Sequence, residues 1–272
     1  MPYLQTDTAT FYYEEIGKGI PIIMIHGFTP DHRLMSGCME PIFKKRDGYR
    51  RIYIDLPGMG QTEDYGHIHS SNDILDAVIN FIETLIPNQA FMIAGESYGG
   101  YLTRGIIKRK KEQVLGTAFI CPVIIPKTEN RTLPKQTIVY SDHEFLSTLT
   151  NEEVDIFKAN QVILDEYNWK RYRDEVLSGC KIADVAFLEK IQRNYGFSYS
   201  VDDVVFHKPS VFLLGKQDSV VGYKDAFELL DNYPRATFAV LDRAGHNLQI
   251  EQSHLFYTLI NEWLDRIEEF IQ

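Results

Sequence analysis

The chain has 272 residues, 44% of them hydrophobic, with a formal net charge of −10. That length fits one large α/β domain, or one carrying an insertion, and no apolar run approaches the ~20 residues that cross a bilayer. Nucleic acid or an anionic membrane would require a basic face, so a small-molecule substrate is expected, with no nucleic acid and no membrane partner.

The first ten residues lack a basic region followed by an apolar stretch, so no secretory signal is read there and a cytoplasmic protein is expected. Thr10 to Glu15 alternate weakly, and Gly17-Lys18-Gly19 marks a turn before the apolar run Ile20 to Ile25. This reads as a hairpin entering a sheet. Glycine and proline in His26-Gly27-Phe28-Thr29-Pro30 then end the strand. A second strand, Arg51 to Asp55, runs into Leu56-Pro57-Gly58-Met59-Gly60. Ile74, Leu75, Val78, Ile82 and Leu85 recur at helical spacing between a Ser70 or Ser71 cap and Pro87, which predicts a helix.

The next stretch, Phe91-Met92-Ile93-Ala94-Gly95-Glu96-Ser97-Tyr98-Gly99-Gly100, is the most informative in the chain. Four apolar residues predict a buried strand, and a helix-forming series follows the glycines. A serine at the apex of a tight strand-to-helix turn needs neighbours without side chains. Its hydroxyl then stands beside a helix N-terminus, whose free N–H groups favour negative charge. Beyond it, Lys108-Arg109-Lys110-Lys111 falls where that helix should end and is read as complementing the helix dipole.

After the apolar run Leu115 to Ile125 the alternation of strands and helices lapses. From Pro126 to Lys208 the composition shifts to charged helical segments with scattered aromatics, read as an inserted helical cap over residues 126–208, between core segments 1–125 and 209–272. Thr150 and Glu153 predict a capping box for a helix through Phe157 and Val162, and Asp184 to Ile191 reads as another helix. Short strands resume at Val211 to Leu214 and Thr237 to Leu241, and Ser253 to Ile271 predicts a terminal helix.

A serine hydroxyl is a weak nucleophile, so a base must lie within hydrogen-bond reach and a third group must orient that base. His246, in Arg243-Ala244-Gly245-His246-Asn247 after the last predicted strand, is the candidate base. Asp218, three residues past the glycine that ends Val211-Phe212-Leu213-Leu214-Gly215, is the candidate orienting acid. All three candidates fall in loops after strands, where open parallel sheets bind their ligands.

The elbow Gly95-Glu96-Ser97-Tyr98-Gly99, the His26-Gly27-Phe28 loop, the Asp55-Leu56-Pro57-Gly58-Met59-Gly60 loop and Gly245-His246 together resemble the α/β-hydrolase fold superfamily. The similarity is to its capped single-domain branch of carboxylesterases, proline iminopeptidase-like peptidases and carbon–carbon bond hydrolases. The order serine, aspartate, histidine is the one found on that fold. The resemblance covers essentially the whole chain. It implies a mostly parallel central sheet flanked by helices and capped by an inserted helical segment. It also implies an oxyanion hole made by the backbone N–H groups of Phe28 and Tyr98, and a loop-fixing rather than basic role for His26. A serine at position 97 argues against haloalkane dehalogenases and epoxide hydrolases, which place an aspartate there. The leading expectation is a serine esterase acting on a small ester through an acyl-enzyme. The alternatives are an aminopeptidase, for which Glu144, Glu152, Glu153 and Glu166 are the available acids, and a non-catalytic receptor on the same fold.

Other residues carry plainer readings. Cys38, Cys121 and Cys180 are odd in number and form no C-x-x-C pair, so free thiols are expected rather than disulfides. No motif calls for a cofactor. His67 and His69 lack partners at metal spacing and are read as a solvated loop, so no metal site is expected. Asp31 is a candidate helix cap and, with His32, lies near the oxyanion loop. Phe145, Phe157, Tyr167, Trp169, Tyr172, Tyr195 and Phe197 are expected mostly to pack the cap. Glu96 either bonds the surroundings of the elbow or faces substrate.

Overall fold

The structure, a computed structural model, describes residues 3–271. Along the chain, β1 (Tyr3–Gln5), β2 (Thr10–Ile16) and β3 (Ile20–Ile25) precede α1 (His32–Phe43), β4 (Tyr49–Ile54), α2 (Ser71–Leu85), β5 (Phe91–Glu96), α3 (Tyr98–Lys110) and β6 (Val114–Ile120). Shorter elements follow: β7 (Tyr140–Ser141), α4 (His143–Leu146), α5 (Asn151–Asn160), β8 (Ile163–Leu164), α6 (Glu166–Arg171), a π-helical stretch (Tyr172–Leu177), α7 (Ser178–Cys180) and α8 (Val185–Gln192). The chain returns to the sheet with β9 (Ser210–Gly215) and β10 (Ala236–Leu241), then continues into α9 (Leu248–Glu251) and α10 (Ser253–Ile271).

The main sheet has eight strands in the order β1-β2-β4-β3-β5-β6-β9-β10. From β4 to β10 every pairing is parallel, while β2 pairs antiparallel with both β1 and β4. Every residue of β5 and β9 is buried. Strands covered by helices on both faces have no wet side, which is why FMIA and VFLL read as continuous apolar runs instead of alternating. Helix α1 packs on α10 and α2 on α3, giving the two flanking layers.

Two sequence expectations are corrected. β2 and β3 do not form a hairpin, because β4 inserts between them. Strand β3, buried over Pro21–Ile25, takes a parallel neighbour on each side, whereas the half-exposed β2 suits a place further out. The helix expected to run through Val162 stops at Asn160. Gln161 is extended, and the chain passes into β8, which pairs with β7. The Thr150–Glu153 capping box is formed. The run Leu115–Ile125 is likewise cut at Ile120, where Cys121 adopts a φ of 40° ahead of Pro122.

At the far end of α3 the basic run is tied to acids on neighbouring elements, Lys108 to Asp203, Arg109 to Asp76 and Lys110 to Glu83. Dipole complementation is therefore joined by ion pairing. Cys38 and Cys121 are buried free thiols and Cys180 is half-buried and free. No described helix is long and apolar enough to cross a membrane.

Candidate active site

Strand β5 delivers Ser97 into a strained turn with φ 51° and ψ −113°, directly before α3. A non-glycine residue held there costs on the order of 1–3 kcal/mol, so the surroundings must enforce it. A Cβ on Gly95 would lie 2.4 Å from the Gly99 carbonyl oxygen, and one on Gly99 would lie 2.2 Å from that of Ile25. Both glycines are thus required by close approach of backbone. The Ser97 N–H donates to the Ile120 carbonyl at 2.9 Å and its own carbonyl accepts from Val123 N–H at 3.0 Å. The turn is bonded on both sides to the end of β6 and its loop.

The loops after β9 and β10 bring the other two candidates to this serine. His246 Nδ1 lies 2.8 Å from Asp218 Oδ2, and His246 Nε2 lies 2.9 Å from Ser97 Oγ. An ionised Asp218 can only accept, so Nδ1 carries the proton and Nε2 is left to accept from the serine hydroxyl. The other oxygen of Asp218 accepts from the N–H groups of Val220 and Val221, at 2.9 and 3.0 Å. Asp242 is exposed and takes a bond from Gln217, while Asp225 accepts from Thr132 N–H. Neither touches the histidine. Glu251, unremarked in the sequence, holds the histidine loop: it accepts from Gly245 N–H at 2.5 Å and Val162 N–H at 2.6 Å.

Among the described residues no acceptor takes the backbone N–H of Phe28 or of Tyr98. The Phe28 ring packs edge-on against Tyr98 and Tyr195. His26 is fully buried; its Nε2 accepts from Leu56 N–H at 3.0 Å and its Nδ1 donates to the Gly27 carbonyl at 2.7 Å. It therefore ties the β3 loop to the β4 loop. Asp31 caps α1 and pairs with Arg33, and His32 is held by Asp55. Neither lines the cavity above Ser97. His67 and His69 are exposed on a loop.

Glu96 turns its buried carboxyl towards the same imidazole nitrogen that meets Ser97, with Oε1 3.5 Å from His246 Nε2. Burial pushes its pKa up to about 7. Burial also pulls the His246 pKa down, but the charge and hydrogen bond of Asp218, with the charge of Glu96, outweigh it and raise the value to about 9. The imidazole thus has one carboxylate on each side.

A cavity of about 350 Å³ opens over this cluster, towards the small end of the ~300–1,000 Å³ common for ligand pockets. Core residues Ser97, Glu96 and His246 form one wall, and Arg131, Asn160, Tyr172, Val176 and Tyr195 from the intervening segment form another. Of the seven aromatics singled out in that segment, Tyr172 and Tyr195 reach this cavity and the other five do not. Phe157 and Trp169 pack against each other at a ring-centre distance of 5.1 Å. Arg131 and Asn160 carried no sequence signal, since nothing in their local pattern marks a cavity wall.

A mostly parallel sheet with a strained serine after β5 and a histidine after its last strand has the architecture of the α/β-hydrolase fold. Residues 20–253 match the family model described as alpha/beta hydrolase fold, and the chain belongs to that family. It is 24% identical over 255 residues to a pimeloyl-(acyl-carrier protein) methyl ester esterase of Legionella pneumophila (strain Paris), covering 93% of this chain and 98% of that one. It is 34% identical over 277 residues to the AB hydrolase superfamily protein YisY of Bacillus subtilis (strain 168), covering 96% and 98%. Among solved structures, the alpha/beta superfamily hydrolase from Oenococcus oeni PSU-1 superposes with a TM-score of 0.90 at 30% identity, covering 98% of this chain and all of that one. The protein is an esterase-type α/β hydrolase enzyme.

Proposed function

We propose that the protein cleaves a small ester through an acyl-enzyme, with Ser97 as nucleophile, His246 as general base and Asp218 as the acid that orients it. The observation that carries this reading is the continuous line Asp218, His246, Ser97, with contacts of 2.8 and 2.9 Å. His246 takes the hydroxyl proton as Ser97 Oγ attacks the ester carbonyl, and Asp218 stabilises the imidazolium formed. The free N–H groups of Phe28 and Tyr98 receive the oxyanion, an interaction worth on the order of 3 kcal/mol per donor. The imidazolium then gives its proton to the alcohol oxygen as the ester C–O bond breaks, leaving the acyl group on Ser97 Oγ. Water, activated by the same histidine, attacks that acyl group to release the acid and return the proton to Ser97. The relatives named as esterases support ester over amide cleavage. None of Glu144, Glu152, Glu153 and Glu166, the acids an aminopeptidase reading would use, lines the cavity. Labelling by a fluorophosphonate probe tests the reading, and an unlabelled native enzyme would overturn it.

In this reading residues 126–208 form a cap over the core segments 1–125 and 209–272, and enclosure limits acyl length. Acetyl and butyryl esters should give higher kcat/KM than palmitoyl esters, with no jump in rate once substrate exceeds its solubility. Faster cleavage of long chains in a chain-length series would mean the cap opens into a groove.

The pH profile follows from the two carboxylates. A raised His246 pKa keeps the base protonated, and inactive, until the pH climbs. The acid limb of kcat/KM should therefore have its midpoint well above the ~6.5 of a free imidazole. Glu96→Gln removes one of the charges that hold the proton on, so it should move that midpoint down by about one unit. An unmoved acid limb in the variant would show that Glu96 does not act on the histidine.

A further inference from the structure

Arg131 is the one guanidinium lining the cavity that holds Ser97, and among the described residues no carboxylate lies within ion-pair distance of it. The buried Arg104 and the half-buried Arg171 show the usual arrangement in this fold: each is matched to an acid, Asp202 and Glu175. Arg131 instead donates to three backbone carbonyls, from Nε to Ile125 at 2.8 Å, from Nη1 to Val220 at 3.0 Å and from Nη2 to Pro126 at 2.9 Å. Those bonds fix the plane of the group but carry no countercharge. A guanidinium has five N–H donors, so one remains on each terminal nitrogen; these lie beside the Tyr195 hydroxyl, which Arg131 also meets, and can grip a carboxylate in two parallel bonds.

The surroundings are biased the same way. Thr128, Gln192 and Tyr195 also line an adjoining cavity, which carries Lys127 and Arg193 against the single acid Glu129. Neither cation is in an ion pair among the described residues. On a chain of net charge −10, unpaired positive charge at the approach to a cavity concentrates anions there. Arg131 is also near enough to the reaction centre to act on it, since its charge opposes protonation of His246.

Building on the hydrolase reading above, we propose that Arg131 determines specificity by binding an anionic group on the substrate, so that the preferred substrate is an ester that also carries a free carboxylate. The acyl carbonyl sits at Ser97 while the carboxylate seats on Nη1 and Nη2 beside the Tyr195 phenol. Glu96 packs against Gly27 and beside His246 and makes no ion pair with Arg131, so the substrate charge seats at Arg131. A phosphate would meet the same two donors, and the test separates the two anions.

The test compares p-nitrophenyl butyrate, mono-p-nitrophenyl glutarate and the phosphonate counterpart of the latter in the native enzyme, Arg131→Gln and Arg131→Lys. The native enzyme should favour the glutarate ester over the butyrate by tenfold or more in kcat/KM, mainly through KM, and the preference should shrink with added salt. Arg131→Gln should erase at least tenfold of that ratio, and Arg131→Lys should keep part of it. Preference for the phosphonate over both would retain the anion site and assign it to a phosphate-type group. Equal or better cleavage of the butyrate by the native enzyme, or an equal loss on both esters in Arg131→Gln, would overturn the proposal. Calorimetric titration of glutarate into the Ser97→Ala protein, with and without Arg131→Gln, reads the anion site without turnover. Binding there with no ester cleaved in the native enzyme would sink the hydrolase reading alone. No binding, with butyrate cleaved normally, would sink this one alone.

Discussion

Ser97→Ala should lower kcat on a short-chain ester by a factor on the order of 10⁶ and abolish fluorophosphonate labelling, while the protein stays folded. The size of the loss follows from the site having one nucleophile in contact with the imidazole. The fold should survive because the turn is held by the Ser97 backbone, through Ile120 and Val123, and not by its hydroxyl. Alanine also accepts the strained φ no worse than serine does. Activity assays paired with circular dichroism check both halves, and full turnover in the variant would remove the nucleophile from the mechanism.

Asp218→Asn should cut kcat by roughly 10⁴ with little change in KM. An amide presents either its oxygen or its NH₂ to His246 Nδ1; with the NH₂ there, Nδ1 becomes the acceptor, Nε2 carries the proton, and the base faces Ser97 in the wrong tautomer. The Val220 and Val221 N–H groups now satisfied by Oδ1 favour keeping the amide oxygen towards them, which leaves NH₂ for the histidine. Asp242→Asn is the control: exposed, bonded to Gln217 and making no contact with His246, it should leave turnover within about twofold. Equal losses at the two positions, measured by steady-state kinetics, would show that the acid had been assigned to the wrong loop.

Much of the fold was legible because its central strands are covered on both faces. FMIA and VFLL are apolar without interruption, and each runs into a glycine. Strand order was not legible. A turn at Gly17-Lys18-Gly19 says that the chain reverses, but not that β4, some thirty residues on, will slot between the two strands it joins. The elbow and the histidine loop announced themselves through local glycines, and Asp218 through its distance past a strand end. Glu251 and Arg131 did not. Glu251 matters through Val162, and Arg131 through Val220, contacts between residues about ninety positions apart that leave no trace in either neighbourhood.

The π-helical stretch between α6 and α7 has a consequence for how the cavity wall could vary. Tyr172, Val176 and Cys180, spaced four apart, all line the cavity. In a plain α-helix of 3.6 residues per turn, each step of four overshoots a full turn by about 40°, so three such residues would spiral off the wall. The wider turn of Tyr172–Leu177 takes up that excess, as a single inserted residue does. Tightening this turn to a plain α-helix with every residue kept would swing the side chains beyond it out of phase with Tyr172, whereas a deletion within Arg173–Glu175 would close the turn and keep them facing the cavity. The wall is therefore set by the turn geometry as much as by residue identity, and a protein that kept these residues in an unbroken α-helix would present a differently shaped chamber to its ligand.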